Sequence, residues 1–312
     1  MSKKSQPASG QSQPSPTRKL PDSSWKHIQL YQGIREAISA LPVYFRTETQ
    51  ISGIMATDLH TLNNVLGATI EEQVVRTLNL IRRTWDPKGD YALYTFVRQP
   101  QTFPDVRLKR TCDGETLVGL ELKGWYLLAK EEEPSLRFTT TADACSIQDL
   151  IVVVPWVLSN VISGSPILYE PFIESAKYAA EYRNYHWQFV RKTSQDSGIT
   201  VAKGVGPYPI KSDQISDKPI NDGGGNFGRL ARTGIMDEYI EKINEVNLCG
   251  IKAAYWRQFI KVFQESKSDK EAREELSKFR SKTQEFFNLP APKAEAILRI
   301  LNDLELILEN DE

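Results

Sequence analysis

The run Leu150-Ile-Val-Val-Val-Pro-Trp-Val-Leu158 contains no polar side chain and constrains the fold more than any other segment. It falls far short of the ~20 apolar residues needed for a membrane-spanning helix. Its length and β-branched content predict a strand buried on both faces. Upstream, Trp25 to Leu41 and Ile70 to Trp85 repeat apolar residues at helical spacing. The second of these helices has Thr69 as its N-cap and stops at Asp86-Pro87. From Tyr91 to Val97 the period changes to two, and Val106 to Thr111 and Thr116 to Ala129 form a hairpin about Asp113-Gly114. Beyond the apolar strand, Glu170-Pro171 opens a helix expected to reach about Val190.

The segment from Lys192 to Gly234 is dense in Gly, Pro, Asp and Lys and predicts an irregular region with one short strand, Gly198 to Ala202. Four helices are expected after it: Ile235 to Val246, Ile251 to Phe263, Lys270 to Phe287 and Lys293 to Asn310. No internal repeat is apparent. The predicted architecture is a mixed α/β core over residues 25–234 with an α-helical C-terminal extension over 235–312.

With 312 residues, 40% hydrophobic and 25% charged, the chain has material for a sizeable core. Residues 1–24 differ: they are basic, rich in Ser, Pro and Gln, and lack the apolar stretch of a secretory signal. They are read as a disordered arm of a cytoplasmic protein. Cys112, Cys145 and Cys249 are odd in number and widely spaced, which excludes a disulfide framework and a zinc or iron–sulfur motif. His27, His60 and His186 are too scattered for a His-rich metal site. Any metal is then held by oxygen. A net charge of −1 gives no global attraction to a polyanion, so a nucleic-acid surface requires charges segregated by the fold.

The segment that carries chemistry runs from Phe103-Pro104-Asp105 through the hairpin to Glu121-Leu122-Lys123. Glu121 and Lys123 are two apart and share one face of a strand, with Leu120 and Leu122 on the other. If the hairpin closes on the three residues Cys112 to Gly114, Thr111 faces Glu115, and counting outward sets Asp105 opposite Glu121. Two converging carboxylates repel unless a cation lies between them, and hard oxygen ligands select Mg²⁺ or Mn²⁺. Charges embedded between Leu117-Val118-Gly119-Leu120 and Trp125-Tyr126-Leu127-Leu128 need a reason.

Pro104-Asp105 followed by Glu121-Leu122-Lys123 on a hairpin resembles the PD-(D/E)XK nuclease superfamily, best known from type II restriction endonucleases. That family often carries a further acid on the helix before the sheet in a G-x-x-x-E-x-x-V-x-x-x-L pattern, which Gly67, Glu71, Val74 and Leu78 reproduce. Glu71 falls within the apolar arc of that helix and Glu72 points away. A Glu in an N-terminal turn, favoured there by the helix dipole, is the competing account of Glu71. The resemblance covers residues 67–190 and implies a restriction-endonuclease-like αβββαβ core, a mixed central sheet flanked by helices. It also implies Asp105, Glu121 and Lys123 as catalytic residues, and Mg²⁺ held by Asp105, Glu121 and Glu71, with Mn²⁺ able to substitute.

The expected activity is hydrolysis of double-stranded DNA at a short specific site by a homodimer, with a cognate DNA methyltransferase as genetic partner. A repair or recombination nuclease of the same fold and a non-catalytic DNA-binding protein are the alternatives. Candidate DNA contacts are Lys177, Arg183 and Asn184 on the helix after the apolar strand, and Arg229 and Arg232 in Asp222-Gly-Gly-Gly-Asn-Phe-Gly-Arg229-Leu-Ala-Arg232. That glycine run equally fits a flexible linker. No strand precedes it and no G-K-[ST] follows, so it is not a nucleotide fingerprint. The acidic stretch Glu131-Glu-Glu133 reads as a solvated turn.

Overall fold

The computed structural model describes residues 14–53, 62–99, 101–129, 131–191, 197–222 and 224–261, with five further helical positions between 270 and 278. A curled mixed sheet forms its centre. Strands β1 (Tyr94–Arg98), β2 (Val106–Arg110) and β3 (Thr116–Tyr126) make an antiparallel meander. Next to it, β4 (Leu150–Leu158) runs parallel to β3. The far side of β4 is covered antiparallel by β5 (Pro166–Leu168) and β6 (Phe172–Ser175). Leu158 pairs with Pro166 and Leu150 with Ser175, so 166–175 acts as one edge strand that slips by one residue midway. Every residue of β4 is buried, as its unbroken apolar sequence requires.

Helices pack on this sheet. α1 (Ile28–Ser39) leads into the single turn α2 (Leu41–Tyr44), and α3 (Leu62–Leu80) into the single turn α4 (Arg82–Trp85). α3 buries Leu66, Ile70, Val74, Val75 and Leu78 and contacts β1 and β3. Its register is fixed by Asn79, which accepts the Phe96 N–H at 2.9 Å and donates to the Phe96 carbonyl at 2.9 Å. α5 (Ala176–Tyr185), extended by a π turn over His186–Val190, packs on β4 and β6.

Two helix starts differ from the sequence reading. α3 begins at Leu62 because Leu66 continues the series Ile70, Val74, Leu78 back by a turn, so Thr69 lies inside the helix and does not cap it. The helix expected from Glu170 begins only at Ala176. Phe172–Ser175 pairs with β4 first, and Ser175 then caps the helix by accepting the Tyr178 N–H at 3.2 Å. The β3-to-β4 crossover also departs from the αβββαβ order, since its one helical element among the described residues is the 3₁₀ turn Ala142–Ala144.

The boundaries shift as well. Pro21 is buried, and Arg18 and Lys19 pair with Glu174 at 2.8 Å and Glu181 at 2.6 Å, so residues 14–24 dock on the core; 1–13 lie outside the described residues. β7 (Ile199–Thr200) falls within the expected short strand and pairs with β8 (Lys218–Pro219). α6 (Asp237–Asn244) is followed by a small hairpin, β9 (Asn247–Leu248) and β10 (Ile251–Lys252), whose pairing delays α7 (Ala253–Lys261) by two residues. Met236, Ile243 and Ile260 join the main core, and Arg257 donates to the Leu127 carbonyl at 3.1 Å. Up to residue 261 the C-terminal segment is therefore part of one core. The helices expected over Lys270–Phe287 and Lys293–Asn310 lie outside the described residues apart from those five positions.

Candidate active site

The hairpin brings the predicted residues together, by a different route from the one expected. Val106 pairs with Leu120, and the next step outward sets Asp105 opposite Glu121. Near the turn, however, Lys109 pairs with Thr116 and the Arg110 N–H donates to the Glu115 carbonyl, so four residues form the loop where three were expected. Leu117 is left unpaired as a bulge, which restores the count before the site.

Lys123 Nζ lies 2.9 Å from Asp105 Oδ2 and 2.8 Å from Glu121 Oε1. The backbone fixes both carboxylates: the Leu122 N–H donates to Asp105 Oδ2 at 3.0 Å, and the Asp105 N–H to Glu121 Oε2 at 3.3 Å. Glu121 is only 8% exposed, and this burial, against the pull of Lys123, pushes its carboxyl up to about 7. Burial would lower Lys123, but the two carboxylates outweigh it and hold the ammonium above its ordinary value.

Glu71 faces this cluster and Glu72 is exposed. Burial, then Asp105, raise the Glu71 carboxyl, while Lys123 and Arg98 oppose them. Its Oε2 is 3.6 Å from the Arg98 guanidinium. Because α3 starts at Leu62, Glu71 stands more than two turns inside the helix, beyond the reach of the N-terminal dipole that offered the competing account. α3 comes close to β3 at Gly124, where a Cβ would sit in ordinary contact 3.7 Å from the Gly67 Cα.

Two neighbours of the site escaped the sequence reading. Arg98 was legible: it shares the period-two face of Tyr94 and Phe96, the two buried residues of β1. Asp149 was not, because the loop before β4 brings it back to β3. It is fully buried and accepts from the Gly119 N–H at 2.7 Å, the Ser146 N–H at 2.8 Å and the Tyr208 hydroxyl at 3.0 Å. Burial still raises its carboxyl to about 6. Gly119, two residues before Glu121 on the same face, makes the room: a Cβ there would lie 2.4 Å from Pro104 Cγ and 2.8 Å from Asp149 Oδ1.

The candidate DNA contacts are dispersed. Arg183 is 1% exposed and donates to Phe138 O, Thr140 O and, at 2.6 Å, Asp217 Oδ2. A guanidinium so engaged is a buried structural pair whose donors are committed within the protein, which corrects its expected role as a direct DNA contact. Asn184 joins it, donating to Asp217 at 2.9 Å. Lys177 is half-buried near the start of α5. Arg229 and Arg232 pair with Glu131 at 3.4 Å and Glu133 at 2.9 Å, so the acidic stretch is the counter-ion of the glycine-rich loop. That loop is a built turn, with Asp222 Oδ1 accepting the Asn226 and Phe227 N–H groups at 2.7 and 3.0 Å.

No protein-family model matches the chain, and no curated protein matches it. Among the described residues no three His, Cys, Asp or Glu side chains gather into a ready cation cage. The donor set nonetheless fits Mg²⁺, which binds through one or two carboxylates completed by water and substrate phosphate. Asp105 and Glu121 supply two hard oxygen donors that already converge on one positive charge, the Lys123 ammonium.

Proposed function

We propose that this chain is a Mg²⁺-dependent endodeoxyribonuclease of the restriction-endonuclease-like class, and specifically a type II restriction endonuclease acting on double-stranded DNA as a homodimer. The observation that supports it is the convergence of Asp105, Glu121 and Lys123 within hydrogen-bond distance on one face of the hairpin, with Glu121 and Lys123 set in an otherwise apolar stretch of β3.

Asp105 and Glu121 would hold the cation, with Glu71 on the adjoining wall. A bound Mg²⁺ supplies charge neutralisation at the scissile phosphate and a more acidic water. The Leu122 N–H fixes the orientation of Asp105, so one of its oxygens is set before substrate arrives. Lys123, held above its ordinary pKa, stays protonated at neutral pH and acts as a positive donor to developing phosphate charge; it is not a proton acceptor. Glu121, raised to about 7, is ionised once a second positive charge offsets its burial.

The test is incubation of the purified protein with phage DNA. Discrete fragments are expected with Mg²⁺ or Mn²⁺, binding without cutting with Ca²⁺, and loss of both fragments and sequence pattern with a chelator. Robust cleavage in excess EDTA would overturn the assignment. Protection of the DNA by a methyltransferase encoded beside this chain would distinguish a restriction enzyme from a repair nuclease.

A further inference from the structure

A cavity of about 190 Å³ lies between the π turn after α5 and the glycine-rich loop. Its wall includes His186, Trp187, Arg191, Asn226, Arg229 and Arg232. Three nitrogens of that wall are buried and have no hydrogen-bond partner among the described residues: Arg229 Nε, Trp187 Nε1 and His186 Nδ1. Trp187 is itself only 5% exposed, held by the Phe227 ring at 5.2 Å and by the Arg191 guanidinium 3.3 Å over its face. Orphaned buried donors are uncommon, because each forfeits its hydration without recompense. Other buried atoms of the described residues also lack a partner, but these three gather on the wall of one cavity, together with Arg191 and Arg232.

We propose that this cavity is a binding site for a phosphate group. An indole N–H and a guanidinium N–H only donate, and neutral His186 donates in its Nδ1–H tautomer, so the missing partner is an acceptor. Burial first, and then Arg191, lower the His186 pKa and favour its neutral form, while Arg191, Arg229 and Arg232 on the same wall supply positive charge. Glu131 and Glu133 engage Arg229 NH1 and Arg232 Nε and leave Arg229 Nε unused. A carboxylate offers two oxygens, whereas a phosphate offers one for each of the three orphaned donors. The volume is below that of pockets enclosing drug-sized ligands and suits a small anion or a single nucleotide phosphate. The phosphate comes either from a DNA backbone or from a small free anion. The site stands whether or not the Asp105 centre cuts DNA.

Indole N–H resonances of the full-length, ¹⁵N-labelled protein provide the test, titrated with inorganic phosphate at constant ionic strength and, separately, with a 20-base-pair duplex without divalent cation. One resonance, missing in Trp187→Phe, is expected to move downfield and saturate, and Arg229→Gln is expected to weaken that titration about tenfold. Movement with phosphate assigns a small-anion source, movement with the duplex alone a DNA source, and both outcomes support the site. Arg229→Lys, which keeps the charge but has no guanidinium Nε–H, replaces Arg229→Gln if the latter does not fold. The proposal is overturned if the Trp187 resonance responds to neither ligand, if chloride moves it equally, or if the arginine variant titrates like wild type.

Discussion

Lys123 is, among the described residues, the cation that reaches both Asp105 and Glu121, so its removal separates chemistry from binding. Lys123→Ala is expected to lower single-turnover cleavage by about 10²–10³-fold or more while DNA affinity changes little, since one charge in a pocket is a small part of a DNA interface. Cleavage at the wild-type rate would remove Lys123 from the mechanism. Asp149 gives a pH test at the same scale. Its carboxyl is raised to about 6, above its unfolded value, so the folded state binds the proton more tightly. That preference is fully present below the unfolded pKa and is lost as pH rises through about 6. Asp149→Asn, which cannot ionise, should therefore show a shallower fall in stability between pH 4 and pH 7, by on the order of 2 kcal/mol. Urea unfolding of both proteins at four pH values checks this; parallel curves would mean Asp149 titrates normally.

At the scale of elements, the β2–β3 hairpin carries the site and Gly119 carries the hairpin. Gly119→Ala sets a methyl 2.4 Å from Pro104 Cγ, which must push the Pro104-Asp105 segment away from Glu121 or open β3 from the Asp149 loop. A loss of about 1–3 kcal/mol in unfolding free energy is expected, as for an overpacked core. Cleavage should fall further than stability explains, because Asp105 moves with Pro104. An alanine variant as stable and active as wild type would show that Asp105 is not held through this contact. The one-residue bulge at Leu117 matters for a related reason: without it, Asp105 and Glu121 would turn to opposite faces.

At the scale of the whole molecule, a net charge of −1 means that affinity for DNA depends on where the fold puts its arginines. Several are already committed: Arg18, Arg98, Arg110, Arg183, Arg229 and Arg232 each pair with a carboxylate. Tight binding then calls for two chains sharing one duplex, as the proposed double-strand cut does. Sedimentation with Ca²⁺ and a cognate duplex is expected to give two chains per duplex. A single chain per duplex at saturation would rule out the dimeric restriction enzyme and leave a nicking or repair nuclease.

The sequence by itself determined the elements whose signal is local. The apolar run of β4, the alternation of β1, the Asp113-Gly114 turn and the stripe of α3 are all set by side-chain periodicity, which contact with one neighbouring layer is enough to impose. The placing of Glu121 and Lys123 on one face follows from strand geometry alone. Asp105 was also set opposite Glu121, although a longer turn and a bulge cancelled to give that result, and neither has a sequence signature. The tertiary structure decided the rest. Phe172–Ser175 becomes a strand because β4 has an open edge to fill, and residues 14–24 dock because Glu174 and Glu181 meet Arg18 and Lys19 across more than 150 residues of chain. Arg183 turned inward to Asp217, and Asp149 folded back onto Gly119, for the same reason: a buried charge goes where its partners are, and those partners are distant in sequence.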